Sequence, residues 1–121
     1  MPAKRLLVVE DDGEIRQAVL DMLEFSGYEV RTVRHGVDAL ATLDQWRPDA
    51  IILDMLMPEM DGPTFLDALR ARGQADIPVL LLSAMRDLAA RAATLPVAGV
   101  IAKPFDVDEL LTALEQIWTT A

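Results

Sequence analysis

The chain has 121 residues, 52% of them apolar, which suits one folded domain with a single core. Its 20 acidic and 11 basic residues give a formal charge of −9, which argues against direct nucleic-acid binding because such binding needs a basic surface. The sequence has no cysteine for disulfides or thiolate chemistry, no secretory signal and no run of about 20 apolar residues. We therefore expect one domain over 1–121, without an output domain, in the cytoplasm and away from membranes.

Short apolar runs alternate with helical patterns along the whole chain. The runs show little alternation of polar and apolar residues, which is typical of parallel strands covered by helices on both faces. In chain order, we predict strands over 5–9, 28–33, 50–53, 79–82 and 100–102. The spacing of apolar residues predicts helices around 15–23, 37–43 and 65–69, a short one within 84–94, and a last one through 110–118. This (βα)5 order, with short loops and right-handed crossovers, predicts an α/β fold with a doubly wound, five-stranded parallel sheet.

Several acidic residues have an ordinary structural explanation. A single acid after a strand is usually a helix cap or a solvated loop residue. We accept that interpretation for Asp12, Asp61, Asp76 and Asp106. Asp106 is followed three residues later by Glu109, which is typical of a capping box at the start of the last helix.

Four of the predicted strands end at polar residues of different kinds. The first strand reaches Glu10-Asp11-Asp12, the third Asp54, the fourth Ser83, and the fifth Lys103-Pro104. Ligands of open α/β sheets bind beyond the carboxyl ends of the strands, so these residues should share one crevice. Neighbouring carboxylates need a counter-charge, which Mg²⁺ and Lys103 can supply, while Ser83 can donate a hydrogen bond to a phosphoryl group. Asp54 is then a candidate nucleophile that forms an aspartyl-phosphate.

The same residues resemble a known family, the receiver domain of two-component response regulators. The resemblance extends over the whole chain and implies the strand order 2-1-3-4-5 of chemotaxis-type receivers. The matching motifs are Val8-Val9-Glu10-Asp11-Asp12, the segment from Asp54 to Gly62, Ser83-Ala84, and Lys103-Pro104-Phe105.

The resemblance implies a role for each position in the crevice. Asp54 would be the phosphoacceptor. Asp11 would bind Mg²⁺ directly and Glu10 through water, together with Asp54 and the backbone carbonyl of Leu56. Ser83 and Lys103 would bind the phosphoryl oxygens, and Pro104 would follow a cis peptide bond.

Transmission of the signal is where the sequence departs from the family. Val100 stands where the family often has the aromatic residue that swings inward on phosphorylation. Coupling through Ser83-Ala84 and their strand is therefore the expected alternative. The interval between Ser83 and Lys103, which contains Pro96, is shorter than is common, so we expect a short or distorted fourth helix and an altered partner surface.

The residues expected to flank the phosphorylation site are also unusual. Leu56 and Met85 are apolar at positions where some relatives carry polar groups. Apolar side chains there should hinder an attacking water molecule. We therefore expect a long-lived phosphorylated state.

The expected function is a phosphorylation-driven switch rather than an enzyme acting on other substrates. The chain would accept a phosphoryl group from the phosphohistidine of a sensor histidine kinase or phosphotransfer protein and change its affinity for a protein partner. A phosphorylation-linked dimer is one alternative output, and a receiver cut from a larger regulator or hybrid kinase is an alternative origin.

Two further alternatives are weaker. A Mg²⁺-dependent phosphatase of the haloacid dehalogenase type needs a second acid two residues after its nucleophile, where this chain has Leu56. A flavodoxin-like flavin binder needs a first loop that cradles phosphate, which Glu10-Asp11-Asp12 would repel.

Overall fold

Strands and helices alternate through the part of the chain that the computed structural model describes, residues 3–55, 60–84 and 95–119. The strands are β1 Arg5–Val9, β2 Glu29–Val33, β3 Ala50–Asp54, β4 Val79–Ala84 and β5 Gly99–Lys103. The helices in these ranges are α1 Gly13–Phe25, α2 Gly36–Leu43, α3 Gly62–Ala71 and α4 Val107–Thr119. The short helix predicted within 84–94 lies outside the described residues, apart from Ala84 at the end of β4. Within the described ranges, no helix has the length and apolar character needed to cross a membrane.

The five strands form one parallel sheet in the order β2-β1-β3-β4-β5, which confirms the predicted fold. The backbone register places Val9 beside Leu53 and Asp54 beside Leu82. Further along the sheet, Ala84 lies beside Lys103. The ends of β1, β3, β4 and β5 therefore meet along one edge.

Helices cover both faces of the sheet, because alternate residues of each strand point in opposite directions. One apolar layer joins β1, β3 and β4 to α2 and α3 and includes the fully buried Phe65. The other layer joins the opposite faces of the same strands to α1 and α4, through Leu23, Leu110 and Leu114. Since β1 and β3 are buried on both faces, their sequences are nearly continuous apolar runs.

Three acidic residues cap helices as predicted. Asp12 Oδ1 accepts hydrogen bonds from two backbone N–H groups at the start of α1, and Asp61 Oδ1 accepts one at the start of α3. Asp106 and Glu109 form the predicted capping box, in which each side chain accepts from the other's backbone N–H. Asp76 pairs at the surface with an arginine and belongs to no cap. These carboxylates therefore have local structural partners, as the sequence predicts.

Three strands are longer than predicted from the apolar runs. β3 includes Asp54, β4 continues through Ser83 to Ala84, and β5 extends from Gly99 to Lys103. The reason is the hydrogen-bonded ladder, since Asp54 pairs with Leu82 and Ala84 pairs with Lys103. Asp54, Ser83 and Lys103 therefore lie on regular strand backbone rather than on the loops that follow.

Candidate functional site

Glu10 and Asp54 are neighbours because β1 and β3 are adjacent in the sheet. Glu10 follows the last residue of β1, and its backbone N–H donates a 3.1 Å hydrogen bond to the carbonyl of Val33. Asp54 is the last residue of β3. Both are buried, with Glu10 0% and Asp54 7% exposed. Two carboxylates buried at one strand edge need a partner of opposite charge.

Lys103 supplies that charge from the end of β5. Its Nζ donates to Asp54 Oδ1 at 3.0 Å and to Glu10 Oε1 at 3.1 Å. We call this arrangement the Lys103 bridge. The lysine side chain is 25% exposed, so its ammonium group reaches from solvent into the buried carboxylates. Charge-assisted hydrogen bonds of this kind are stronger than neutral ones.

The bridge and its burial change the acidity of two groups. Burial, together with the hydrogen bond and charge of Asp54, raises the pKa of Glu10 to about 8, and Lys103 offsets only part of this. Burial alone would lower the pKa of Lys103, but its hydrogen bonds to Asp54 and Glu10 outweigh that effect and raise it. Lys103 therefore stays positively charged at neutral pH.

Asp11 adds a third carboxylate to this edge of the sheet. Oxygen atoms from Glu10, Asp11 and Asp54 all lie within 4.8 Å of one another. Glu10 Oε2 is buried and has no hydrogen-bond partner among the described residues. Hard divalent cations prefer such oxygen ligands, and Mg²⁺ takes one or two carboxylates while it keeps several waters. The donor set and the unsatisfied oxygen fit Mg²⁺.

The remaining predicted site residues lie on or beside β4 and β5. Ser83 is buried in β4, one residue beyond Leu82, the register partner of Asp54, and Ala84 ends the strand. Val100 packs against the apolar layer under α2 and α3. The Lys103–Pro104 peptide bond is cis.

Two predicted positions cannot be placed in this arrangement. Leu56, whose carbonyl was predicted as a metal ligand, and Met85 lie outside the described residues.

Arg16 also contacts this site, although no role was predicted for it. Its Nη1 donates to the backbone carbonyl of Glu10 at 3.0 Å and more weakly to that of Asp11 at 3.5 Å. Its spacing could have indicated this contact, since an arginine one helical turn after the Asp12 cap can reach back over the acidic loop.

The comparisons with known proteins all point to the same family. A family model, the response regulator receiver domain, matches residues 6–115. Response regulator MprA of Mycobacterium sp. (strain KMS) is 37% identical over 115 residues, which cover 93% of this chain and 50% of MprA. The chain thus spans half the length of that relative.

Solved structures share the whole fold. Chemotaxis response regulator CheY4 of Vibrio cholerae superposes with a TM-score of 0.87 and 34% identity, covering 95% of this chain and 98% of CheY4. The receiver domain of sensor histidine kinase PA1611 from Pseudomonas aeruginosa PAO1 gives a TM-score of 0.84 and 27% identity, covering 96% and 98%. That structure has a magnesium ion coordinated in its active-site cleft.

The family match, the strand order and the acidic crevice all agree. Receiver domains are phospho-accepting signalling modules that partner with histidine kinases, and they are not conventional enzymes. This chain belongs to the response regulator receiver domain family.

Proposed function

We propose that Asp54 accepts a phosphoryl group from the phosphohistidine of a sensor histidine kinase or phosphotransfer protein, and that the chain then changes its affinity for a protein partner. The main support is the Lys103 bridge, which places an ammonium group 3.0 Å from Asp54 Oδ1 in a crevice lined by carboxylates. A cytoplasmic location, where such a donor would be met, is part of the same proposal.

Phosphoryl transfer requires little covalent chemistry from the protein. A carboxylate oxygen of Asp54 attacks phosphorus, a new O–P bond forms, and the N–P bond of the phosphohistidine breaks with its electron pair going to the ring nitrogen. Lys103 orients the carboxylate before the reaction and then offers its charge to the phosphoryl oxygens. The hydroxyl of Ser83, buried next to the register partner of Asp54, donates a hydrogen bond to the same group. The rate then depends on positioning and charge.

Mg²⁺ belongs to this proposal as the cofactor. Glu10, Asp11 and Asp54 would hold it, with the backbone carbonyl of Leu56 as a further ligand. When bound, Mg²⁺ would neutralise negative charge on the carboxylates and the phosphoryl oxygens. Glu10 lies deepest of the three, which suits a role as an outer acid that acts through water.

Phosphorylation works as a switch only if the phosphoryl group favours one of two conformations. Ser83 and Ala84 link the crevice to β5 through the strand ladder, where they pair with Ala102 and Lys103. We propose that this stretch, rather than an aromatic residue at position 100, transmits the modification to the partner surface.

Labelling with acetyl phosphate and Mg²⁺ tests the phosphoacceptor directly. Intact-mass measurement should show one phosphoryl group on the wild type and none on Asp54→Ala. Asp76→Ala removes an exposed aspartate that pairs with Arg47, so it is the matched control and should label normally. Labelling of Asp54→Ala at another residue would refute the assignment.

A further inference from the structure

We propose that Arg16 is a positioning residue that holds the Glu10-Asp11 loop in the shape that a divalent cation needs. The inference rests on the proposed function, since the cation site is the one proposed above. Its basis is the pair of side-chain bonds from Arg16 Nη1 to the carbonyl oxygens of Glu10, at 3.0 Å, and Asp11, at 3.5 Å.

The acidic loop is fixed at its two ends by other groups. On the strand side, the backbone N–H of Glu10 donates to the carbonyl of Val33 at 3.1 Å. On the helix side, the carbonyl of Asp12 accepts from the backbone N–H of Arg16 at 2.9 Å. Between these anchors lie the carbonyls of Glu10 and Asp11, and the Arg16 side chain binds both. Arg16 thus orients the two peptide groups from which the metal-binding carboxylates extend.

The guanidinium group is well placed for this task. The Arg16 side chain folds back over Gly13, the first residue of α1. A Cβ atom added to Gly13 would lie 3.6 Å from Arg16 Nη2. Both bonds come from one nitrogen, Nη1, whose two N–H groups are fixed in the guanidinium plane, whereas the donors of a lysine ammonium rotate freely about a flexible stem. Both acceptors are main-chain carbonyl oxygens, so these bonds leave the carboxylate oxygens of Glu10 and Asp11 to bind a cation.

Charge and positioning make opposite predictions for the removal of Arg16. A positive charge next to a cation site repels the cation, so removal of that charge alone should tighten Mg²⁺ binding. Loss of the loop geometry should weaken it, since outer-shell partners of metal ligands typically contribute about 10–100-fold in affinity. The sign of the change therefore separates the two effects.

Titration calorimetry with Mg²⁺ at low, fixed ionic strength measures that sign. Arg16→Met keeps an apolar stem and removes both hydrogen bonds, and we expect its Mg²⁺ affinity to fall about tenfold. Arg16→Lys keeps the charge and should fall between wild type and Arg16→Met. Arg70→Met is the control, because it removes an arginine that is 70% exposed and pairs with Asp67 on α3. Its affinity should match that of the wild type.

A second measurement separates cation binding from chemistry. The rate of labelling by acetyl phosphate should be low for Arg16→Met at limiting Mg²⁺ and should approach the wild-type rate at saturating Mg²⁺. A merely structural defect would lower the rate at every Mg²⁺ concentration and would overturn the inference.

The outcomes distinguish this inference from the proposed function. If wild type binds Mg²⁺ and Arg16→Met binds it equally or more tightly, the positioning role is wrong and the proposed function stands. If wild type binds no Mg²⁺, the cation site and the inference both fail. If circular dichroism shows that Arg16→Met does not fold, Arg16→Lys decides, since an affinity equal to wild type would overturn the positioning role.

Discussion

Replacement of Lys103 by methionine should destabilise the metal-free protein. The substitution keeps most of the apolar stem but removes both hydrogen bonds of the Lys103 bridge. Glu10 and Asp54, which are 0% and 7% exposed, then lose the cation that compensates their burial. The effect should appear as a lower free energy of unfolding in EDTA.

The magnitude follows from the burial and the contacts of the bridge. Hydrogen bonds to charged groups contribute about 1.5–3 kcal/mol each, and removal of one partner of a buried ion pair costs about 3–5 kcal/mol. Two features reduce the cost: Lys103 is 25% exposed, and Glu10, whose pKa is raised to about 8, is already largely protonated at pH 7.5, so the main charge left uncompensated is that of Asp54. We therefore expect Lys103→Met to lose about 2–4 kcal/mol in EDTA at pH 7.5.

Urea unfolding followed by circular dichroism measures this loss. Mg²⁺ should narrow the gap between Lys103→Met and wild type, because a bound cation replaces the missing charge and stabilises the state that binds it. Arg70→Met removes an exposed ion pair on α3 and should change stability by about 0.5 kcal/mol or less. A loss below about 1 kcal/mol in EDTA, or an equal loss with and without Mg²⁺, would refute the electrostatic role assigned to the bridge.

Three further predictions concern packing, pH and phosphate release. Gly36→Ala should cost about 1 kcal/mol in urea unfolding, because the new Cβ would lie 2.7 Å from Met60 Sδ, which can move aside, and 3.2 Å from Met60 Cβ, which is less free to move, whereas Gly13→Ala meets no atom closer than 3.6 Å and should cost nothing. Burial raises the pKa of Tyr28, so the unfolded chain loses this proton first and stability falls as the pH rises above about 10. The melting temperature of Tyr28→Phe should therefore fall less than that of the wild type as the pH rises above about 10, and equal decreases would contradict this. Leu56→Asn should speed release of phosphate from the labelled protein, and equal rates would exclude shielding of the site by Leu56.

The sheet and the convergence of its polar ends were predictable because parallel strands share a direction. Fully buried apolar runs identify such strands, and each must present its last residue at the same edge. The proximity of Glu10, Asp54 and Lys103 could thus be predicted from the sequence alone. The ends of β3 and β4 were less predictable, because the apolar runs stop at Leu53 and Leu82 while backbone hydrogen bonding continues.

The side-chain contacts inside the crevice could not be predicted from the sequence. The resemblance implies that Lys103 binds phosphoryl oxygens. In the structure its ammonium group is hydrogen-bonded to the carboxyl groups of Glu10 and Asp54 at once. These contacts depend on distances of about 3 Å between residues at the ends of β1, β3 and β5. Arg16 was missed for a similar reason. An arginine on the polar side of a helix usually faces solvent, and only the path of the preceding loop brings its fork onto the carbonyls of Glu10 and Asp11.

The Lys103 bridge has a consequence for when the protein becomes competent during synthesis. It joins residues separated by 93 positions for Glu10 and 49 for Asp54. On the ribosome, the chain is made from its N-terminus, so Asp54 emerges long before β5 is available to complete the sheet. A nascent or misfolded chain therefore displays its aspartate without the lysine that orients it. Under the proposed function, the chain would accept a phosphoryl group only once its folding is complete, since β5 brings the charge on which the proposed transfer depends.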